Sequence, residues 1–183
     1  MKNESTTDYE KLDAWNDAVV KALHKLYDRD RDLIHCDHFQ ELKTVQKHLA
    51  ERAVAFRFGL YFKEFCPSND NITIDMEYNR HIYDQKLMKY SNGVEKGMIP
   101  DLIVHERRCD NNNLLVVEFK GWWNTSKTQD RKKLRYLTDP DEAYRYQCGL
   151  LITFEKTLLK TMNNIEVFRN GEKDKNSIIK SGC

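Results

Sequence analysis

The chain lacks any run of about 18 consecutive apolar residues, so its sequence offers no membrane-spanning helix. Its polar opening, Met1-Lys2-Asn3-Glu4-Ser5-Thr6-Thr7-Asp8, has no apolar h-region and predicts no secretory signal. The cysteines Cys36, Cys66, Cys109, Cys148 and Cys183 include no Cys-x-x-Cys pair. That spacing argues against a disulfide framework and favours a reducing, cytoplasmic compartment. It also excludes an obvious four-thiolate site. His35, Cys36 and His38 cluster, but no second ligand pair lies at a suitable distance, and zinc needs four donors. A large charge excess is missing too. The net charge is +1, so any basic surface must be local.

What remains is an ordinary globular composition. At 183 residues, with 40% hydrophobic and 32% charged, the chain suits one domain with a proper core. The expectation is a single domain over residues 1–170 and a polar, flexible tail over 171–183.

Periodicity sketches the elements. Leu12, Trp15, Val19, Leu23 and Leu26 recur at three- and four-residue spacing and predict a helix from Tyr9 to about Tyr27. A longer helix is expected from about Phe39 to Phe65, ending before Pro67, with its second half apolar almost all round. Alternation from Ile72 to Tyr78 reads as a half-buried strand. Residues 84–99 look irregular. Asp101–Arg107 and Leu114–Lys120 read as two strands joined by the turn Cys109-Asp110-Asn111-Asn112-Asn113. Lys127–Leu137 reads as a basic helix. A further helix is expected to start at Asp139-Pro140. Gly149–Phe154 and Ile165–Phe168 are strand candidates. The resulting class is mixed α/β, in the order helix, three strands, helix, strand, with extra helices in front.

The chemistry concentrates in Pro100-Asp101 and Glu118-Phe119-Lys120. Antiparallel pairing across the turn brings the start of the first strand to the end of the second, so Asp101 approaches Glu118 and Lys120. Glu118 and Lys120 are two apart and share a face, while Phe119 points into the core. The flanking residues, Leu102-Ile103-Val104 and Leu114-Leu115-Val116-Val117, suit buried central strands. Acids at the end of such strands cost free energy unless paired or metal-bound. Two carboxylates give magnesium, a hard cation with octahedral oxygen ligands and retained waters, a site with open positions. A lysine beside it would orient water and offset charge developing on phosphorus. Glu51 lies at the head of the stripe Val54, Ala55, Phe58 on the long helix.

These residues resemble the signature of the PD-(D/E)xK nuclease superfamily. The likeness covers Glu51, Asp101, Glu118 and Lys120 and the element order over roughly residues 40–155. It implies a restriction-endonuclease-like αβββαβ core with an additional N-terminal helix. It further implies a nuclease, most often a DNA endonuclease, that uses Mg2+ with Mn2+ as a substitute and leaves a 5′-phosphate. Asp101, Glu118 and Glu51 would be the metal ligands and Lys120 the catalytic cation. Lys127, Arg131, Lys132, Lys133 and Arg135 would track a phosphate backbone. Many relatives dimerise, and the apolar face of residues 8–27 is the surface on offer for a homodimer.

Plainer readings stand beside these. The motif could be a hairpin end with an exposed salt bridge, worth about 0–1 kcal/mol. Glu51 could pair with Lys47 one turn earlier. The basic run could be a solvated helix face. Asp75 and Glu77 read as solvent-facing, His105 as a cross-strand neighbour, and at least one of Trp122 and Trp123 as core. Tyr144, Tyr146 and Gln147 are placed on the helix after the hairpin, where some superfamily members carry a glutamine or lysine. The competing functions are a nucleic-acid-binding or assembly module that never cleaves, and a hydrolase of a small phosphate ester.

Overall fold

The computed structural model describes residues 6–35, 51–67, 69–90 and 92–175, with the backbone alone for 6–13. Cys36, His38 and the expected helical stretch 39–50 lie outside the described residues. The chain divides into two compact units, Met1–Ser68 with Ile179–Cys183, and Asn69–Ile178.

The first unit is helical. Helix α1 spans Thr6–Arg29, α2 Arg31–Ile34 and α3 Glu51–Phe65. The expected stripe on α1 is real: Trp15, Val19, Leu23 and Leu26 are buried. They face α3, and the Trp15 ring lies 6.2 Å from that of Phe62. From Trp15 to Leu26, the surface offered for a homodimer is therefore covered by α3. Arg57 and Tyr61 of α3 both bond the Asp30 carboxylate between α1 and α2, which locks the three helices together. Helix α3 ends before Pro67 as expected. It is not apolar-buried all round, because Phe56 and Leu60 are 56% and 46% exposed. Their spacing of four puts them on the face opposite Val54 and Phe58.

The second unit is built on a mixed six-stranded sheet of order β1-β6-β7-β8-β9-β10. Its strands are β1 Thr73–Met76, β6 Leu102–His105, β7 Leu115–Gly121, β8 Cys148–Phe154, β9 Glu166–Arg169 and β10 Glu172–Asp174. Only β7 and β8 are parallel. A parallel pair needs a crossover, and helix α4, Thr128–Thr138, supplies it. Helix α5, Leu158–Asn163, joins β8 to β9, with Thr157 as N-cap accepting from the Lys160 N–H.

Three expectations change here. Residues 84–99 are not irregular. Arg80–His81 pairs with Asp84–Gln85 (β2, β3), and Leu87–Lys89 with Glu95–Gly97 (β4, β5). Those strands are too short to display a period of two. No helix begins at Asp139. Its side chain instead accepts from the Asp141 N–H and closes a turn, and Tyr144, Tyr146 and Gln147 follow in irregular chain, with Arg145 between them at φ 47°. Residues 172–174 are not loose tail but the edge strand β10.

The α4 side of the sheet carries a core of Ile103, Val116, Leu151 and Phe168 against Leu134 and Leu137. Gly149 belongs to that face. A Cβ there would meet Thr138 at 3.0 Å and Leu134 at 3.2 Å, so the helix lies close on the strand.

Asp75 is not a solvent-facing residue. Its carboxylate accepts from His105 Nε2 at 2.9 Å and from Arg107 Nε at 2.9 Å, across the β1–β6 ladder. Burial pushes its pKa up, but the hydrogen bonds from His105 and Arg107 and the Arg107 charge outweigh burial and hold it well below the usual carboxylate range. His105 is the cross-strand neighbour expected. A carboxyl with a lowered folded-state pKa gives stability that is complete above its unfolded value, ~3.9, and is lost as pH falls. Asp75→Asn should therefore cost about 2 kcal/mol at neutral pH in urea unfolding. The difference from wild type should shrink progressively below about pH 4.

Candidate active site

Asp101 follows the buried Pro100 and immediately precedes β6. Its backbone oxygen accepts from the Glu77 N–H at 3.0 Å, which ties it to the end of β1. The β6–β7 register pairs Leu102 with Val117. Continued by one residue, it sets Asp101 opposite Glu118. The Asp101 carboxylate accepts from the Phe119 N–H at 2.7 Å, a bond that fixes its orientation at the strand end.

Glu118 and Lys120 share one face of β7, as alternation requires, and that face is the one α4 covers. Phe119 points the other way and stacks on Phe154 at 5.3 Å. Glu118 is 1% exposed. Its Oε2 accepts from Lys133 of α4, and its Oε1 has no hydrogen-bond partner. Lys120 Nζ lies 3.3 Å from Asp130 Oδ2, also on α4. Lys133 Nζ lies 3.7 Å from Asp130 Oδ1. Asp101, Glu118 and Asp130 thus interleave with Lys120 and Lys133 under one helix.

Burial pushes the Glu118 pKa well above its usual range, and the neighbouring charge of Asp101 adds to that rise while Lys133 opposes it. Burial also raises Asp101, against the pull of the Phe119 N–H and the two lysines. With all five groups ionised the cluster carries three negative and two positive charges. A buried excess of one negative charge invites a proton or a further cation.

Two of these acids could serve as oxygen ligands to a hard divalent ion. They are Asp101 and Glu118, and Glu118 Oε1 is buried without a partner. Among the described residues no group of three or more His, Cys, Asp or Glu side chains is placed to hold a metal ion. Two protein carboxylates with water filling the other positions is the arrangement magnesium favours.

Sequence reasoning missed three residues here. Asp130 heads the buried stripe Asp130, Leu134, Leu137, Thr138 of α4. An acid at an inward position, four residues before a buried leucine, was the available signal. Lys133 was read only as part of a basic run. Thr153 pairs in register with Lys120 on the parallel neighbour β8. It lies four residues beyond Gly149, on the same face, and its hydroxyl is buried without a partner. A lone polar residue inside Leu150-Leu151-Ile152-Thr153-Phe154 was its signal.

The other candidates fall elsewhere. Glu51 is half-buried and opens α3 in the helical unit. Glu77 is exposed. Gln147 lies beside Asn113, just before the start of β7. Of the basic run, Arg131 bonds Glu166 at 2.6 Å and Arg135 bonds Glu172. Lys133 reaches into the site, Lys132 is exposed, and Lys127 precedes the helix. The run is therefore divided among internal ion pairs, the site and solvent. Trp122 and Trp123 are both partly buried and meet edge-on at 5.8 Å. Trp123 packs over Gly121, where a Cβ would lie 2.3 Å from its ring.

No protein family, curated protein or solved structure matches the chain.

A raised carboxyl pKa in the folded state means stability that is complete below the unfolded value and is lost as pH rises. Glu118→Gln should therefore stabilise the metal-free protein at pH 8, by something on the order of 1 kcal/mol. The gain should vanish near pH 4, where Glu118 is protonated folded or unfolded. Thermal unfolding of both proteins across that range measures it.

Proposed function

We propose that the chain is a metal-dependent phosphodiesterase, a nuclease acting on DNA, with Asp101, Glu118 and Lys120 as its working groups. The observation that carries this reading is the meeting of Asp101 and the buried, half-satisfied Glu118 beside the ammonium of Lys120. The element order supports it as well. A helix, the antiparallel sheet strands β1, β6 and β7 with the ribbons β2–β5 inserted between β1 and β6, a crossover helix and the parallel strand β8 can be compared with the αβββαβ order of the PD-(D/E)xK nucleases.

Asp101 and Glu118 would hold Mg2+, with Mn2+ as a substitute. A bound ion of that kind polarises a phosphoryl oxygen and lowers the pKa of its water. The chain's own groups do the rest. The Phe119 N–H holds the Asp101 carboxylate in place, so no orientation has to be found during reaction. Sheet and helix keep water away from Glu118, which strengthens every electrostatic interaction there. Asp130 holds the Lys120 ammonium at the edge of the cluster, where it donates to a phosphate oxygen or to the attacking water. Glu51 is the acid proposed as a further ligand, on the sequence pattern alone. The cytoplasm is the proposed compartment. Exposed Lys132 and the loop at Lys127 are the proposed contacts to the nucleic-acid backbone.

Plasmid, linear duplex, single-stranded and branched DNA should be tested with Mg2+, with Mn2+ and with chelator. Cleavage of at least one substrate is expected only with metal. Asp101→Asn, Glu118→Gln and Lys120→Met should each lower the rate by about 100-fold or more with unfolding curves still cooperative. Wild-type rates in all three variants would remove the assignment. Metal-independent binding without any cleavage would make the protein a binding module on the same scaffold.

A further inference from the structure

We infer that Lys133 is the resident counter-ion of the Asp101–Glu118 pair, and that a divalent cation enters the site by displacing its ammonium. The inference rests on the metal-site reading above and adds a residue from outside the sequence motif.

Three observations carry it. Lys133 Nζ bonds Glu118 Oε2, while Glu118 Oε1 has no partner. One carboxylate thus offers one oxygen to the ammonium and keeps the other open. Glu118 is 1% exposed, so its ionised form needs a cation in contact, and Lys133 is the cation in place. The two lysines of the cluster also differ in their freedom. Lys133 comes from the helix, and its side chain is 23% exposed against 15% for Lys120. Its long, flexible stem has a route to water.

A divalent ion on Glu118 would repel an ammonium on the same carboxylate. Two cations competing for one acid are antagonistic ligands, and each weakens the other by the same factor. Lys120 is held differently: its charge also acts on Asp101, but its ammonium lies against Asp130. Metal loading would therefore release one amine, at position 133, and leave the other in place. Released, Lys133 adds a positive charge beside the site where a phosphate is to be received.

The test uses the full chain without nucleic acid. Brief acetylation of amines, read by mass spectrometry, is compared with and without saturating Mg2+. Labelling of Lys133 should rise severalfold with Mg2+ while labelling of Lys120 does not. In calorimetry, Lys133→Met should bind Mg2+ about fivefold more tightly than wild type, or better, and Lys133→Arg should stay close to wild type. If Mg2+ binds but Lys133 labelling does not rise, the inference fails and the metal site stands. If Mg2+ binds neither wild type nor Lys133→Met, both fail. The labelling experiment needs no variant, so a Lys133→Met protein that did not fold would leave it decisive.

Discussion

A carboxylate buried in the middle of a sheet is the constraint around which this unit is arranged. Glu118 sits on β7 between two hydrogen-bonded neighbours and under a helix, with 1% of its surface exposed. An ionised group in that position is tolerated only with opposite charge in contact. Lys133 supplies that charge, and Asp130 in turn draws in both Lys133 and Lys120. Removing any one of these groups changes the charge that the others face. The cluster is therefore a single electrostatic unit rather than a set of independent pairs, and its energies would not add.

Topology explains why the charges meet. The antiparallel β6–β7 pairing sets Asp101 opposite Glu118. The parallel β7–β8 pairing forces a crossover, and the crossover helix has to lie on the face that Glu118 and Lys120 share. Gly149 lets that helix approach β8 closely. The same approach that packs Leu134 and Leu137 into the core carries Asp130 and Lys133 over the acids. Core packing and site assembly are thus one event. The opposite end of the hairpin is organised by different pairs, Asp75 with His105 and Arg107, and His81 with Asp110. These pairs hold the sheet edge and the β2–β3 ribbon without touching the acids.

Parts of this were legible in advance because they depend on local rules. The α1 stripe, the β6–β7 hairpin and the apolar β8 follow from side-chain period, and their bounds came out within a few residues. The shared face of Glu118 and Lys120 follows from strand alternation alone. The ribbons at 80–97 were not legible, since strands of two or three residues show no period. The Asp139-Pro140 pair has the composition of a helix start, yet its backbone turns toward β8 instead. Residues 172–174 read as tail because an edge strand facing solvent needs no apolar pattern.

Strand periodicity alone places Glu118 and Lys120 side by side on one face of β7. Spacing along one strand is enough for that, because the pleat repeats every two residues. Which charges neutralise them follows from how the distant elements pack. Lys133 is thirteen residues beyond Lys120 in sequence, and nothing local separates it from its neighbour Lys132. One points at Glu118 and the other into solvent because of where the crossover helix settles on the sheet. That placement is set by long-range packing of Leu134 and Leu137, which no short window of sequence contains.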